Sequence, residues 1–205
     1  MSEVKLTKGE LKRQRDALGQ YQRYLPTLQL KKQQLQMEIS QQLTLLEQTR
    51  GAEVTKRHSI EAWAGLLAEP GADIRQWLIP KEIVTSARNI AGVDIPVFQN
   101  VEFTAVVYDL FLYPLWVDAA VEALKELVSL RQEINVIERG IEILRQELRI
   151  TTQRVNLFEK MKIPEAQEAI RLIRIYLGDQ MTNAVGRSKI AKRKIEALVL
   201  QEVAV

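Results

Sequence analysis

Few residues in this sequence are of the types that catalytic and metal sites need. The 205 residues include a single histidine, His58, and no cysteine, which excludes thiol nucleophiles, disulfides and metal clusters of histidine or cysteine. Three carboxylates, Glu53, Glu61 and Asp73, are close in sequence, but helices and loops commonly carry such residues in solvent. No phosphate-binding loop, dinucleotide fingerprint or HExxH motif occurs. The chain is therefore expected to have no catalytic site, cofactor or metal ion of its own.

The composition predicts an ordered protein of the cytoplasm. Hydrophobic residues make up 46% of the chain, enough for one ordinary core or two small ones. The 29 basic and 26 acidic residues nearly balance, so charge alone does not indicate a nucleic-acid partner. The longest apolar stretch, residues 103–117, contains Asp109 and Pro114 and is shorter than the roughly 20 residues of a membrane span. The N-terminus lacks the apolar core of a signal peptide.

Two segments carry the apolar spacing of long coiled-coil helices. Steps of three and four from Leu11 to Thr49 meet eight apolar residues in twelve positions, and the same steps from Leu127 to Phe158 meet nine in ten. Charged and polar residues fill the positions between. The predicted coiled-coil seam consists of Leu11, Leu18, Leu25, Leu28, Leu35, Ile39, Leu127, Leu130, Ile134, Ile137, Ile141, Leu144, Leu148, Val155 and Phe158.

The middle of the chain, residues 51–115, has a different composition, with four of the six prolines and two of the three tryptophans. Residues 89–103 are rich in valine, isoleucine and phenylalanine and predict a short β-hairpin, with Gly92 and Gln99–Asn100 as turn candidates. We expect a mainly α fold: residues 1–55 and 117–205 form a long antiparallel two-helix coiled coil, and residues 56–116 form a small α+β insert at its far end.

Two prolines interrupt the predicted helices. Pro26 lies in the first helix and Pro164 in the last, and each removes a backbone hydrogen bond and favours a kink. One antiparallel register places the two prolines at the same level, where together they would bend the coiled coil. The alternative is that the paired helices tolerate both prolines without a functional bend.

Basic residues collect near both chain ends, which the antiparallel arrangement would bring together. The expected basic tip contains Lys5, Lys8, Lys12, Arg13, Arg187, Lys189, Lys192, Arg193 and Lys194. One interpretation is a solvated helix end, since cations suit the last turns of a helix. The other is a positive tip that enters an acidic or dipole-lined protein cavity. No aromatic residues alternate with these charges, so a platform for single-stranded nucleic acid is not indicated.

Several segments resemble the D subunit of the rotary V-type and A-type ATPases, in particular its bacterial branch. They are VKLTKGELKR from Val4, YLPTLQLKKQQLQMEI from Tyr24, NIAGVDIPVFQNVEF from Asn89 and, most specifically, RVNLFEKMKIPEA from Arg154. The resemblance covers essentially the whole chain and includes the order helix, insert, helix.

The resemblance implies a non-catalytic central rotor shaft that transmits torque between the nucleotide-hydrolysing head and the membrane rotor ring. Its implied partners are the catalytic and regulatory nucleotide-binding subunits, a small central-stalk subunit and a socket subunit on the rotor ring, all in a complex peripheral to the inner membrane. The insert would be the foot that seats on the lower partners, through Val93, Ile95, Val97 and Phe98, with Trp77, Phe111, Tyr113 and Trp116 either as anchors or as the core of the insert. The rival functions are a static coiled-coil tether of another ATPase assembly and a nucleic-acid-binding coiled coil.

Overall fold

The computed structural model describes residues 5–68, 74–104 and 113–203. Helix α1 spans Lys8–Glu61, strands β1 and β2 span Pro80–Ile90 and Val93–Phe103, helix α2 spans Trp116–Leu157, and helix α3 spans Ile163–Val203. Two short 3-10 helices, Ala64–Ala68 and Arg75–Leu78, lie between α1 and β1. The predicted mainly helical fold, with long N-terminal and C-terminal helices and a two-stranded antiparallel hairpin between them, is confirmed. The chain divides into two compact units, Leu30–Thr152, and Met1–Gln29 with Gln153–Val205.

A side-chain cap begins helix α1. The backbone N–H of Glu10 donates to the Thr7 hydroxyl at 3.2 Å, which satisfies one of the amides that the first turn of a helix leaves without a backbone partner. The residues that follow are mostly leucine, glutamine, lysine and glutamate, which are good helix formers. Capping and propensity therefore explain where α1 begins, while its length depends on the packing of its apolar stripe.

The helices accommodate their two prolines differently. Helix α1 continues through Pro26. Before Pro164, in contrast, one turn is widened into a π-helix at Phe158–Lys162, where the Ile163 N–H donates to the carbonyl oxygen of Phe158, five residues earlier. A proline inside a helix collides with the carbonyl group four residues before it. The wider turn moves that carbonyl away from the ring, so the chain passes Pro164 without losing its helical course.

In the unit Leu30–Thr152, α1 and α2 pack antiparallel around an apolar seam. One cluster contains Leu46, Ile134, Ile137 and Ile141, all of which are buried. Ion pairs join the same two helices on either side of this seam: Lys31 with Glu147 at 2.8 Å, Arg50 with Glu138 at 2.5 Å, Arg131 with Glu53 at 3.6 Å, and Lys56 with Glu126. The side chains of these pairs are 21–61% exposed, and partly solvated pairs add little to stability. Burial of the seam therefore holds the helices together, and the charges favour their register.

The β-hairpin turns at Ala91 and Gly92, which both have positive φ angles, 51° and 77°. Two such residues form a type I′ turn, whose twist matches that of the strands it joins. The register pairs Ile90 with Val93 next to the turn and runs back to Pro80 opposite Phe103. Gly92 is thus part of the turn, as predicted. Gln99 and Asn100 are not a turn, because they lie within β2 at a β-bulge, and each strand is 11 residues long.

The hairpin packs against the helix pair of the same unit. Ile95 of β2, with 2% of its surface exposed, lies in a buried cluster with Leu35, Ile39 and Leu144. The strand approaches α2 at Gly140, where an added Cβ would lie 3.8 Å from the Pro96 carbonyl oxygen and 3.9 Å from the Ile95 Cβ. At these distances an added Cβ would make ordinary van der Waals contacts, so position 140 has room for a methyl group, and only a longer side chain would meet the strand.

The unit of Met1–Gln29 and Gln153–Val205 pairs the start of α1 with α3 and the end of α2. The rings of Tyr21 and Phe158 lie 5.3 Å apart, and Ile173 of α3 is fully buried. Pro26 follows Tyr21 by five residues, whereas Pro164 follows Phe158 by six, in the opposite direction along an antiparallel pair. The two prolines are therefore offset by roughly 16 Å at 1.5 Å per residue. The expected register with both prolines at one level is wrong.

The turn offers a test of backbone strain. Ala91 adopts a left-handed conformation that costs a residue with a Cβ roughly 1–2 kcal/mol, and asparagine tolerates it better. We expect Ala91→Asn to raise the free energy of unfolding by about 0.5–1 kcal/mol, measured by urea denaturation with circular dichroism. The β-branched control Ala91→Val should lower the free energy. An unchanged value for both variants would contradict the type I′ turn.

A second test concerns the space at Gly140. We expect Gly140→Gln to lower the free energy of unfolding by about 1–3 kcal/mol, because the side chain would collide with Ile95 and the Pro96 carbonyl. The matched control is Gly51→Gln in α1, where nothing lies within 4 Å and the loss of a helical glycine should stabilise by about 0.5–1 kcal/mol. Equal effects of the two substitutions in the same denaturation assay would show that the hairpin does not rest on position 140.

Candidate interaction surfaces

The side chains that the sequence offered for catalysis or metal binding form ion pairs or lie at the surface. Glu53 pairs with Arg131 at 3.6 Å. His58 and Glu61 lie together at the end of α1, with 3.0 Å between the His58 Nδ1 and Glu61 Oε2 atoms, and the imidazole is largely exposed. Asp73 lies outside the described residues. Within the described part of the chain, no group of three or more acidic or histidine side chains is arranged to hold a metal ion.

All fifteen residues of the predicted seam are buried or half-buried, and Leu35, Ile134 and Leu144 are at most 1% exposed. Leu35 and Leu144 contribute to the cluster under the hairpin, whereas Ile134, Ile137 and Ile141 contribute to the neighbouring cluster with Leu46. The polar residue Thr49 occupies a buried seam position as well, and its hydroxyl donates to the Leu45 carbonyl at 3.0 Å.

The insert uses most of its aromatic residues internally. Trp77 and Tyr113 meet edge to face with their ring centroids 5.4 Å apart, and both pack with Trp63 and Trp116 around buried Ile74, Val117, Ala120 and Val121. This arrangement matches the alternative in which these aromatic residues form the core of the insert. Phe111 lies outside the described residues. Of the expected foot residues, Ile95 is buried between the hairpin and the two helices, while Val93, Val97 and Phe98 are half-buried.

The expected basic tip separates into two groups. Lys5, Lys8, Lys12 and Arg13 are exposed at the start of the chain, and Arg13 pairs with Glu10 at 3.6 Å. The other group, Arg187, Lys189, Lys192, Arg193 and Lys194, is exposed on α3, where Lys192 pairs with Glu196 at 3.7 Å. With Tyr21 beside Phe158, Lys8 lies level with about position 171, so residues 187–194 lie roughly 24–35 Å beyond it at 1.5 Å per residue. The structure does not bring the two groups into one cluster.

The last part of α3 presents apolar residues as well as charge. Every described side chain from 178 to 197 is exposed, including Met181, Val185, Ile190 and Ile195 at 56–66%. Exposed apolar residues grouped on one element commonly mark a protein interface. The seam predicted from the sequence ended at Phe158 and did not include this segment. Steps of three and four from Ile173 through Leu177, Ala184 and Ala191 to Ile195 would have indicated that the apolar stripe continues.

An ion pair of Arg171 and Glu168 lies on the exposed face of α3. The Arg171 guanidinium donates two hydrogen bonds to the Glu168 carboxylate, at 2.8 Å from Nε and 2.7 Å from Nη2. These hydrogen bonds lower the pKa of Glu168 below its ordinary value and raise that of Arg171. The pair therefore keeps its charges at neutral pH and is lost only as the pH falls through the lowered carboxyl pKa. Because both side chains are more than half exposed, the pair shapes the surface charge rather than the stability.

Within the described part of the chain, no helix is long and apolar enough to cross a membrane. Three described surfaces carry exposed charged or apolar side chains: the end of α3, the basic start of α1 and the hairpin.

Comparisons with known proteins agree over nearly the whole chain. The family model described as the D subunit of ATP synthase matches residues 10–193. The V-type ATP synthase D subunit of Borreliella burgdorferi is 46% identical over 200 residues, which covers 95% of this chain and 96% of that protein. The D subunits of the V-type ATP synthases of Chlamydia abortus and Chlamydia pneumoniae are 36% and 35% identical, each over 95% of this chain. The chain therefore belongs to the ATP synthase D subunit family, in its bacterial V-type branch.

Proposed function

We propose that this chain is the central rotor shaft of a V-type ATPase and transmits torque between the nucleotide-hydrolysing head and the ion-translocating ring in the membrane. It catalyses no reaction itself. Its partners are the catalytic and regulatory subunits of the head, a small central-stalk subunit and a socket subunit on the rotor ring. The complex holds it at the cytoplasmic side of the inner membrane as a peripheral subunit. The names of the relatives supply the complex, and the contacts of this chain support the mechanical role.

The observation that carries the proposal is the exposed end of α3. Residues 178–197 present apolar side chains at 56–66% exposure together with the basic group at 187–194. A helix of this kind is unfavourable in water and becomes favourable inside a protein cavity that covers the apolar residues and offers acidic groups or helix dipoles to the cations. In this proposal, the ring of head subunits encloses a cavity of this kind. The basic residues at the start of the described chain, from Lys5 to Arg13, would meet the lower part of the same cavity.

Torque requires that the shaft resist twisting, and helix packing supplies this resistance. In the unit Leu30–Thr152 the seam is buried over several turns, with Leu35, Ile134 and Leu144 almost fully covered. Cross-helix ion pairs lie along it, from Lys31 with Glu147 to Lys56 with Glu126. Sliding or rotating one helix against the other would expose the seam and separate the charges. A rotating shaft must also be asymmetric, so that its contacts with each head subunit change as it turns. The π-helical turn before Pro164 would supply a local asymmetry, because it makes one side of the helix pair unlike the other.

The surface role of the hairpin rests on fewer residues than expected. Ile95 is unavailable to a partner because it is buried against Leu35, Ile39 and Leu144. Val93 packs against the same cluster, whereas Val97 and Phe98 retain partial exposure and are the residues of the foot that would contact the lower subunits. In this proposal Ile95 and Val93 attach the foot to the shaft, and Val97 and Phe98 form its contact surface.

The first experiment isolates the complex. A tagged copy of the chain is expressed in its native cells, and the complex is purified in mild detergent for measurement of subunit masses and ATPase activity. We expect one copy of this chain with three copies each of two large nucleotide-binding subunits. Recovery of the chain alone, or with nucleic acid, would overturn the assignment as a shaft.

The second experiment separates a rotating shaft from a static tether. A bead attached to the hairpin of the immobilised head complex should rotate in one direction when ATP is added, whereas a tether would hold the bead still. The variant with Met181, Val185, Ile190 and Ile195 replaced by serine should lower ATP-driven ion pumping at least tenfold, because the end of α3 would lose its apolar contacts with the head. The matched control replaces Met37 and Val54, which are similarly exposed on α1, and should pump normally. Equal loss in both variants would contradict the role of the α3 end.

A further inference from the structure

The outer edge of β1, on the side away from β2, is a further surface, and its backbone groups are available for binding. The sheet has two strands, and β2 is the more buried of them: Ile95 and Val101 are buried, whereas no residue of β1 is. The Pro96 carbonyl oxygen points toward Gly140 of α2. The free edge of β2 therefore faces the helices. Among the residues that the structure describes, no strand pairs with the opposite edge, which belongs to β1.

The register shows which groups of β1 point outward. In a hairpin with a two-residue type I′ turn, the flanking pair, here Ile90 and Val93, exchanges two hydrogen bonds, and such pairs alternate along the strands. Ala87 opposite Pro96 and Thr85 opposite Phe98 are then non-hydrogen-bonded pairs. The position of Pro96 agrees, since proline has no N–H to give to β1. The N–H and C=O groups of Thr85 and Ala87 thus point away from β2.

The side chains along this edge leave it open to pairing. Proteins usually protect an exposed edge strand with charges, prolines or a bulge in its middle. Residues 83–87, with the sequence IVTSA, carry no charge or proline, and the bulge at Gln99 lies on the other strand. Three of these five residues are β-branched, which favours extended backbone. Charges appear only at the two ends, as Lys81 and Glu82 on one side and Arg88 on the other.

We propose that the outer edge of β1 binds an extended segment of another protein, which adds to the hairpin as a third, antiparallel strand. The main-chain groups of Thr85 and Ala87 supply hydrogen bonds, as in other cases of strand addition. Glu82 and Arg88 specify the register: the bound segment carries a basic residue opposite Glu82, an acidic residue opposite Arg88 and uncharged residues between them. Among the described residues, the ion pair of Arg88 is a distant one, 3.9 Å from Glu38, and the Arg88 side chain is 61% exposed. This binding activity goes beyond the proposed role of the chain as a shaft.

The sequence of β1 itself provides a defined probe. A peptide with the sequence of residues 80–90, paired antiparallel with Thr85 opposite Thr85, places its arginine opposite Glu82 and its glutamate opposite Arg88. Binding of this fluorescent peptide to the full-length chain is measured by anisotropy. We expect saturable binding that Ala87→Pro in the chain weakens at least tenfold, because proline removes only the outward N–H. The control Ala87→Val retains that N–H and should stay within about twofold of the original chain.

Two further measurements separate strand addition from a folding defect or from other binding. A peptide N-methylated at the residues that correspond to 83, 85 and 87 cannot donate to β1 and should not bind the unmodified chain. Glu82→Arg in the chain should weaken binding of the original peptide by about two- to fivefold, and a peptide with Arg88→Glu should restore it.

Four outcomes would overturn the proposal. They are absence of saturable binding at peptide concentrations up to about 1 mM, equal binding to the Ala87→Pro and Ala87→Val chains, undiminished binding of the N-methylated peptide, and no recovery in the charge exchange. Sedimentation of the chain as a dimer that Ala87→Pro dissociates would assign the edge to a second copy instead. None of these readouts uses the ATPase complex, so failure here is distinguishable from failure of the proposed shaft function.

Discussion

The whole structure depends on the narrowness of the apolar stripe on each long helix. A stripe only one residue wide per turn cannot build a globular core, and a helix that leaves it in water gains little stability from propensity alone. The stripe must therefore be covered along its length by a second stripe of the same kind, as at Leu35, Ile134 and Leu144. The hairpin follows the same constraint, because Ile95 is buried only by reaching residues of both helices. Where no second stripe is present within the described chain, after Leu177, α3 remains exposed.

This dependence divides the residues into those committed to internal packing and those left at the surface. Seam residues and hairpin anchors are committed to internal packing, so their substitution changes stability first. The exposed end of α3 and the outer edge of β1 are supported by the helical framework but contribute little to it, which leaves their side chains free to specify partners. The aromatic cluster around Trp77 and Tyr113 belongs to the first class, although aromatic residues are often interface anchors. A residue's type thus indicates its role only when its surroundings are known.

The helical seam was predictable because its signal is periodic and repeats over many turns, so a few polar residues such as Gln14 and Lys32 do not obscure it. The extent of the hairpin was not predictable from residues 89–103, since half of it, β1, carries no alternation of apolar and polar residues. The relative level of the two prolines was not predictable, because shifting an antiparallel register by several turns again places one seam opposite the other. The basic tip was inferred from an antiparallel arrangement in which both ends of the chain lie at the same level. The offset between Lys8 and the exposed end of α3 could not be obtained without the contact of Tyr21 with Phe158.

The π-helical turn at Phe158–Lys162 has a consequence for the length of the chain. A π turn holds one residue more than an α turn, so it absorbs a single additional residue without changing which side of α3 faces α1. Removing this additional residue would restore a regular α-helix and leave the residues that follow at the same angular position. Removing one residue from the regular helix that follows the π turn, at 163–165, would instead rotate all that follows by about 100°. Ala166, Ile170 and Ile173 would then leave the contact, and the cations at 187–194 would point to another side of the helix. A deletion of one residue is therefore far more tolerable at the π turn than in the regular helix after it.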